Sequence, residues 1–499
     1  MILQDKYNQL ISFFNTRRYM LVAMGYVLWG LVWLLANWHG AMTNDSLISW
    51  DESARWQYCN NPWFIPFSYS IARLLWDSPA CIAIIQILAF SVYFVCVLAY
   101  FHRQGVQTWF IRLIGLSFAF GLPIWLYAIT LWIDVPFTLC LIAAVFAIYR
   151  VIQDYRDSGR ISRLTTGILL SAYIVGVFAF RHNGLFGFGL LFFMLHPAFG
   201  AWKRRSMFFL GTILCIVLII IIIPRTTGIQ SRSKQGFDLL MSLINPIAAL
   251  HHAPGGYRTP NPELDLQVLE PVFNVDCLKQ KYDPIHYYPM LSCLKTENVE
   301  PEQANRIIET YLPRLLENPE IVIADRIQMF QSAIMHTSER YGLKWGNRLA
   351  NPSGLPPEVF EITLSIHYHP VKFFVKILKP FTHLWQRRGL LVWNAVPGLI
   401  LTLAMVAMYR FVPLTACISV AILVLTAGTL LVIPGDSFRY FFYLYVLTPV
   451  LSLMGLYEGR RALPARLQLM LFSKEAFGRF DELISSASTA PALDRHLKG

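Results

Sequence analysis

LWIDVPFTLCLIAAVFAIYRVI, residues 131–152, decides the fold. Asp134 opens the stretch, Pro136 falls in its first turn where a missing N–H costs no helical hydrogen bond, and residues 135–149 carry no charge. That is a helix long enough to cross most of a bilayer with a carboxylate at its mouth. An ionisable group held against lipid is costly, so an acid at this place is a functional-site hypothesis by default. An aspartate at a helix start also caps it, and both roles can hold together.

Outward from this segment the same pattern recurs. Hydrophobic residues make up 55% of the 499-residue chain and charged residues 14%, which places it among polytopic membrane proteins rather than soluble enzymes. Spans are expected at residues 19–38, 79–101, 109–129, 135–152, 164–180, 185–196, 207–224, 390–409, 413–433 and 441–457, about ten in all. The 185–196 segment is short for a crossing. The first span lacks a small-residue cleavage site and reads as an anchor.

The net charge of +12 would suggest nucleic acid on a soluble protein. Here it lies largely in short loops, so positive-inside topology accounts for it and no nucleic-acid partner is needed. With the N-terminus inside, Arg103, Arg150, Arg156, Arg160, Arg163, Lys203, Arg204, Arg205, Arg410, Arg460, Arg461 and Arg466 are cytoplasmic. Outside lie residues 39–78, the turns at Asp134, Arg181 and Asp436, and the long segment 225–388. Arg387 and Arg388 break the pattern, as residues of long translocated domains can.

Four regions follow: a membrane module with outer loops (1–224), an extracytoplasmic domain (225–388), C-terminal membrane helices (389–457) and an amphipathic cytoplasmic tail (458–499). In the outer domain, residues 302–340 carry apolar positions at helical spacing, entered at Pro301 and Glu302 and interrupted at Asn318 and Pro319. Cys277 and Cys293 fall where an oxidising compartment permits a disulfide, and Cys59 with Cys81 is a weaker pair. His251, His252, His336, His367 and His369 lie outside without metal-ligand spacing.

Three further clusters share the outer face. WDESARWQY, residues 50–58, places Asp51 and Glu52 beyond the first span, where a carboxylate serves as a proton acceptor or cation ligand, or simply pairs with Arg55 one turn on. FRHNG, residues 180–184, interrupts an apolar run with Arg181, His182 and Asn183, and the planar guanidinium suits two phosphate oxygens. PGDSFRYFFYLYV, residues 434–446, repeats that arrangement with Asp436, Arg439 and Tyr440 ahead of an aromatic run, which also has the composition of an interface anchor. Asp45 and Arg326 are secondary candidates.

The D-E-x-x-R sequence at residues 51–55, followed by D-V-P-F-T at residues 134–138, resembles the GT-C superfamily of integral-membrane glycosyltransferases. The resemblance is clearest over residues 19–224. It implies an all-α polytopic fold with about ten transmembrane helices, a mainly helical extracytoplasmic domain after the seventh span, and location in a membrane such as the bacterial inner membrane with the site on the outer face. The implied reaction moves a sugar from a polyprenyl-phosphate-linked donor to a glycan, lipid or protein acceptor among membrane lipids. By that likeness Asp51 is the base, with Glu52 and Asp45 as competitors, and Asp134 is the second acid, positioning substrate or metal. Arg439, beside Tyr440, resembles the late phosphate-binding turn of several members, with Arg181 and Asn183 beside the phosphate. The superfamily differs in metal need, so a divalent ion stays open. Two other classes fit the shape: an O-antigen polymerase or ligase, relying on Arg and His of the large outer loop, and a lipid-linked sugar flippase. A transporter is expected to place charge along a midplane cavity, where this sequence has almost none.

Overall fold

The structure, a computed structural model, describes residues 2–42, 44–56, 58, 62–227, 232–285, 288–295, 299–334, 371–387, 394–433 and 438–462. Helix makes up 82% of the described residues, which contain no strand, in keeping with the all-α expectation. Among the described residues six helical segments are long and apolar enough to cross a membrane: Arg17–Ala36, Pro79–Arg103, Asp134–Ser158, Trp202–Thr227, Pro413–Val432 and Arg439–Ala462. A seventh arises if Thr108–Phe120 and Leu122–Ala128, bent by 51° at Gly121, count as one span. Pro123 in the first turn of the second piece has no N–H to continue the ladder, which accounts for the break.

The other three expected spans are shorter apolar helices, Leu164–Ala179, His182–Leu195 and Val396–Ala407. The expected 185–196 span is corrected in kind: the chain there is a 3₁₀ turn His182–Phe188, one α turn Gly189–Phe192 and a second 3₁₀ turn Phe193–Leu195. Close packing is the reason. A Cβ on Gly184 would fall 2.0 Å from the Val177 carbonyl oxygen, so the backbone lies directly against the preceding helix.

One apolar core joins the spans. Phe94 and Phe118 stack at 3.9 Å, and the Tyr149 hydroxyl reaches the Met454 carbonyl at 3.4 Å. At the far end of the last span from Arg439, the buried Glu458 accepts from the Leu414 and Thr415 amides at 3.1 and 3.2 Å. It thereby satisfies donors that the start of Pro413–Val432 would otherwise leave without partners.

The first outer loop is helical, with Asn44–Arg55 and Phe64–Leu75 packed on each other around Leu47, Trp50, Ile65 and Tyr69. Leu74 and Leu75 at its end are 70% and 79% exposed, leaving an apolar edge beside the outer end of the first span, where Trp76 meets Trp38. The loop is tied to a distant span by one bond. Residues Leu218–Ile222 form a π-helical stretch ahead of Pro224, which has no N–H to give to the carbonyls behind it. The Trp63 indole donates to the Ile219 carbonyl at 2.8 Å.

The outer domain has its own core, built by Arg232–His252, Pro262–Leu269, Val275–Lys281 and Pro301–Glu317 around Leu240, Ile244, Phe273, Ile307 and Tyr311. The helix start at Pro301 and the interruption at Asn318 stand where the sequence places them, and Pro319–Ile334 follows. Asn318 makes the break by bonding both the amide and the carbonyl of Arg258. Cys277 and Cys293 are disulfide-bonded. Cys81 is a buried free thiol, and Cys59 lies outside the described residues. The helix Lys372–Arg387, assigned by sequence to the outer domain, lies along the first span instead: the Val371 amide donates to the Leu35 carbonyl at 3.0 Å and Phe381 packs on Trp29 at 5.5 Å. The expected tail beyond residue 462 lies outside the described residues.

Candidate active site at the outer ends of the spans

Leu131 is the fixed point of the site. Ala41 pairs with residues 129–131 through Ala41 N–H to Ile129 O (2.8 Å) and Leu131 N–H to Ala41 O (3.0 Å). Gly40 allows the approach, since its φ of +107° suits glycine and a Cβ there would meet the Ile129 carbonyl at 3.0 Å. The Leu131 carbonyl then accepts from the hydroxyls of Ser46 at 2.5 Å and Tyr69 at 2.9 Å. The turn leading to Asp134 is thereby pinned from both helices of the first outer loop.

Asp134 is fully buried and stands at the start of its helix. Arg181, extended between Leu164–Ala179 and the 3₁₀ turn, places Nη1 against its Oδ1, and Arg439 Nε lies 3.8 Å from Oδ2. Both guanidinium groups sit over the Tyr440 ring, Arg181 at 4.6 Å and Arg439 at 5.2 Å from its centroid. Arg439 also lies 5.7 Å from the ring of Trp132, and Trp132 and Phe442 pack against Tyr127 at 4.8 and 4.4 Å. Asn183 Nδ2 donates to Thr429 Oγ1 at 2.9 Å and joins the arginine turn to Pro413–Val432.

Two guanidinium groups and one carboxylate thus meet within an aromatic wall where charge is poorly screened. The side chains of Asp134 and Arg181 are 1% and 6% exposed and that of Arg439 is 18% exposed, so Arg439 is the most accessible of the three. A purely snorkelling anchor would reach for water; Arg439 turns to Asp134.

Asp51 and Glu52 are both buried, at 9% and 7% exposure, on the helix that packs over Leu131. Asp51 pairs with Arg55 at 3.1 Å. The helix is fixed by Arg73, which lies 4.3 Å over the Trp50 ring and donates to the Trp50 carbonyl at 3.1 Å. The Ser70 hydroxyl donates to the Ser53 carbonyl at 2.8 Å. Asp45 is on the same helix, its side chain outside the described set, and Asp436 lies outside the described residues altogether.

Arg326 belongs to a neighbouring site. It is 2% exposed, pairs with Asp325 at 3.3 Å, and donates to the Ile433 carbonyl at 2.7 Å, below the turn that carries Arg439. His251 bonds the Tyr311 hydroxyl at 2.8 Å and His252 meets the Lys279 carbonyl at 3.0 Å, so both serve the outer domain. Burial lowers His251 to about 4. His336, His367 and His369 lie outside the described residues.

Sequence reasoning passed over Trp132 and Tyr127, although Trp132 stands two residues from Asp134. It also passed over Thr429, which nothing in its apolar surroundings marks. Among the described residues no three His, Cys, Asp or Glu side chains come together as a metal seat. Asp134 has an arginine against each oxygen, which fits a divalent cation poorly. Compared with protein-family models, curated proteins and solved structures, the chain matches none.

Proposed function

We propose that this chain is a membrane glycosyltransferase of GT-C-like architecture, with about ten spans and its site at the outer leaflet, using a polyprenyl-phosphate-linked sugar. The observation that supports the reading is the Asp134, Arg181 and Arg439 cluster, where two guanidinium groups converge on one buried carboxylate and Arg439 is the more exposed of the two. The acid-bearing helix Asn44–Arg55 packs on the same turn through Leu131. In the reaction, an acceptor hydroxyl gives its proton to Asp51 or Glu52 as its oxygen bonds the anomeric carbon. The bond from that carbon to the carrier phosphate breaks, and its electron pair leaves on the phosphate oxygen. Arg439, with Arg181 behind it, stabilises that developing charge by fixed dipoles and charges already in place. Trp132 and Tyr440 at the rim offer apolar faces beside the arginine.

The test is kinetic. Arg439→Lys keeps the charge but loses the fork, so the KM for a polyprenyl-phosphate-linked donor rises about tenfold, the worth of one charge-assisted hydrogen bond. The acceptor KM changes less. Wild-type donor kinetics would return Arg439 to the role of membrane anchor. An unchanged set of envelope glycans, read by mass spectrometry in cells lacking the protein, would remove the glycosyltransferase reading itself.

A further inference from the structure

Beneath the Arg439 turn, two charges are buried where the outer domain meets the membrane module. The carboxylate of Asp325 accepts from the Tyr282 hydroxyl at 2.7 Å on one oxygen and pairs with Arg326 on the other at 3.3 Å. Arg326 Nη1 donates to the carbonyl of Ile433, at the C-terminal end of Pro413–Val432 and six residues before Arg439. Phe330, one helical turn beyond Arg326, packs at 5.1 Å against Phe441, two residues past Arg439. The helix Pro319–Ile334 therefore grips the segment carrying Arg439 on both sides, at Ile433 and at Phe441. Its end is fixed as well, since the Ala395 amide donates to the Ile334 carbonyl at 3.0 Å.

Such a pair is a poor way to gain stability, because desolvating two charges offsets most of their attraction. Burial pushes the Asp325 carboxyl up and the Arg326 guanidinium down, each held back by its partner. Packing alone would be served by apolar residues of similar volume. What an arginine adds is a directed bond to a carbonyl in a turn.

We infer that Arg326 is a positioning residue for the donor-phosphate site: held by Asp325 and Tyr282, it fixes the Ile433 carbonyl while Phe330 of the same helix holds Phe441, and together they set the place of the 3₁₀ segment Phe438–Phe441 that presents Arg439. The inference rests on the proposed function for the meaning of that site, but its geometry is testable without turnover. Tyr282 lies between Cys277 and Cys293, so the disulfide-closed segment of the outer domain feeds the same line of contacts.

The experiment uses the full-length protein in nanodiscs, with Tyr282→Phe as a mild variant and Arg326→Lys as a stronger one that keeps the charge. Hydrogen–deuterium exchange is read on peptides covering residues 433–446 and, as a control, residues 301–317. The expected result is faster exchange over residues 433–446 in both variants, larger in Arg326→Lys, with the control peptide unchanged. Donor KM is expected to rise about tenfold in Arg326→Lys, by the loss of one charge-assisted bond, with kcat and acceptor KM near wild type. Unchanged exchange over residues 433–446 in both variants, or a rise shared equally by the control peptide, overturns the inference. If exchange responds as expected while the wild-type protein turns over no donor, the positioning role stands and the glycosyltransferase reading falls.

Discussion

Replacing Asp134 by Asn separates what the carboxylate does for the fold from what it does for the site. The substitution keeps the side chain's shape but leaves Arg181, at 6% exposure, and Arg439, at 18%, facing an uncharged amide and each other. Removing one partner of a buried ion pair costs about 3–5 kcal/mol, most of it the penalty of the charge left behind. Arg181 bears most of that penalty, since the more exposed Arg439 is better screened by water and salt. Unfolding of the purified protein by SDS titration in mixed micelles is expected to shift Asp134→Asn to a lower SDS fraction. Adding Arg181→Met removes the stranded charge, so the double variant recovers most of the lost stability while donor turnover stays low. Wild-type unfolding of Asp134→Asn would show that the cluster contributes nothing to the fold. A double variant that regains turnover along with stability would show that Arg181 and Asp134 act on the fold alone.

Asp51→Asn lowers turnover about a hundredfold, the usual scale of losing a general base, with an unchanged unfolding profile, while Asp45→Asn is mild; the reverse pattern in purified-enzyme rates would move the base to Asp45. His251 has its ionisation lowered by burial from 6.5 to about 4, so it is neutral in both folded and unfolded chains above 6.5 and only the unfolded chain takes up the proton between those values. Outer-domain stability therefore falls as pH drops from about 6.5 towards 4 and levels off below, and His251→Gln flattens that slope in thermal melts of the full chain at pH 7 and 4.5. A reporter fused after Arg205 stays cytoplasmic and one inserted near Asn261 is translocated; translocation of both would break the shared outer face.

Much of this was legible because it is local. Asp134 with Pro136 announces a helix start, Pro301 and Pro319 bracket the outer-domain helices, and the long apolar runs mark the spans. The acids and arginines on the outer face could be listed from topology. Their pairing could not, since Asp134, Arg181 and Arg439 come from different thirds of the chain and only packing makes one arginine meet each carboxylate oxygen. The broken winding within the expected 185–196 span was not legible for a similar reason: its composition is apolar, but the approach of Gly184 to Val177 is a tertiary fact. Lys372–Arg387 has an apolar face with Phe374, Leu378 and Phe381 that announces packing, but nothing in the helix itself says that the first span is what it packs on.

The bond from Trp63 to the Ile219 carbonyl also sets an order of assembly. Its ends are 156 residues apart, so at roughly 5–20 residues per second the ribosome delivers the acceptor some 8–30 s after the donor. Until then the loop bearing Asp51 and Glu52 lacks that bond. Arg439 arrives later still, after residues 225–388, so Asp134 spends that interval without it. A chain stalled before residue 439 therefore holds its acids and one arginine at the membrane surface but has no second guanidinium to offer an anion, so truncated products of this gene are expected to insert without acquiring the site.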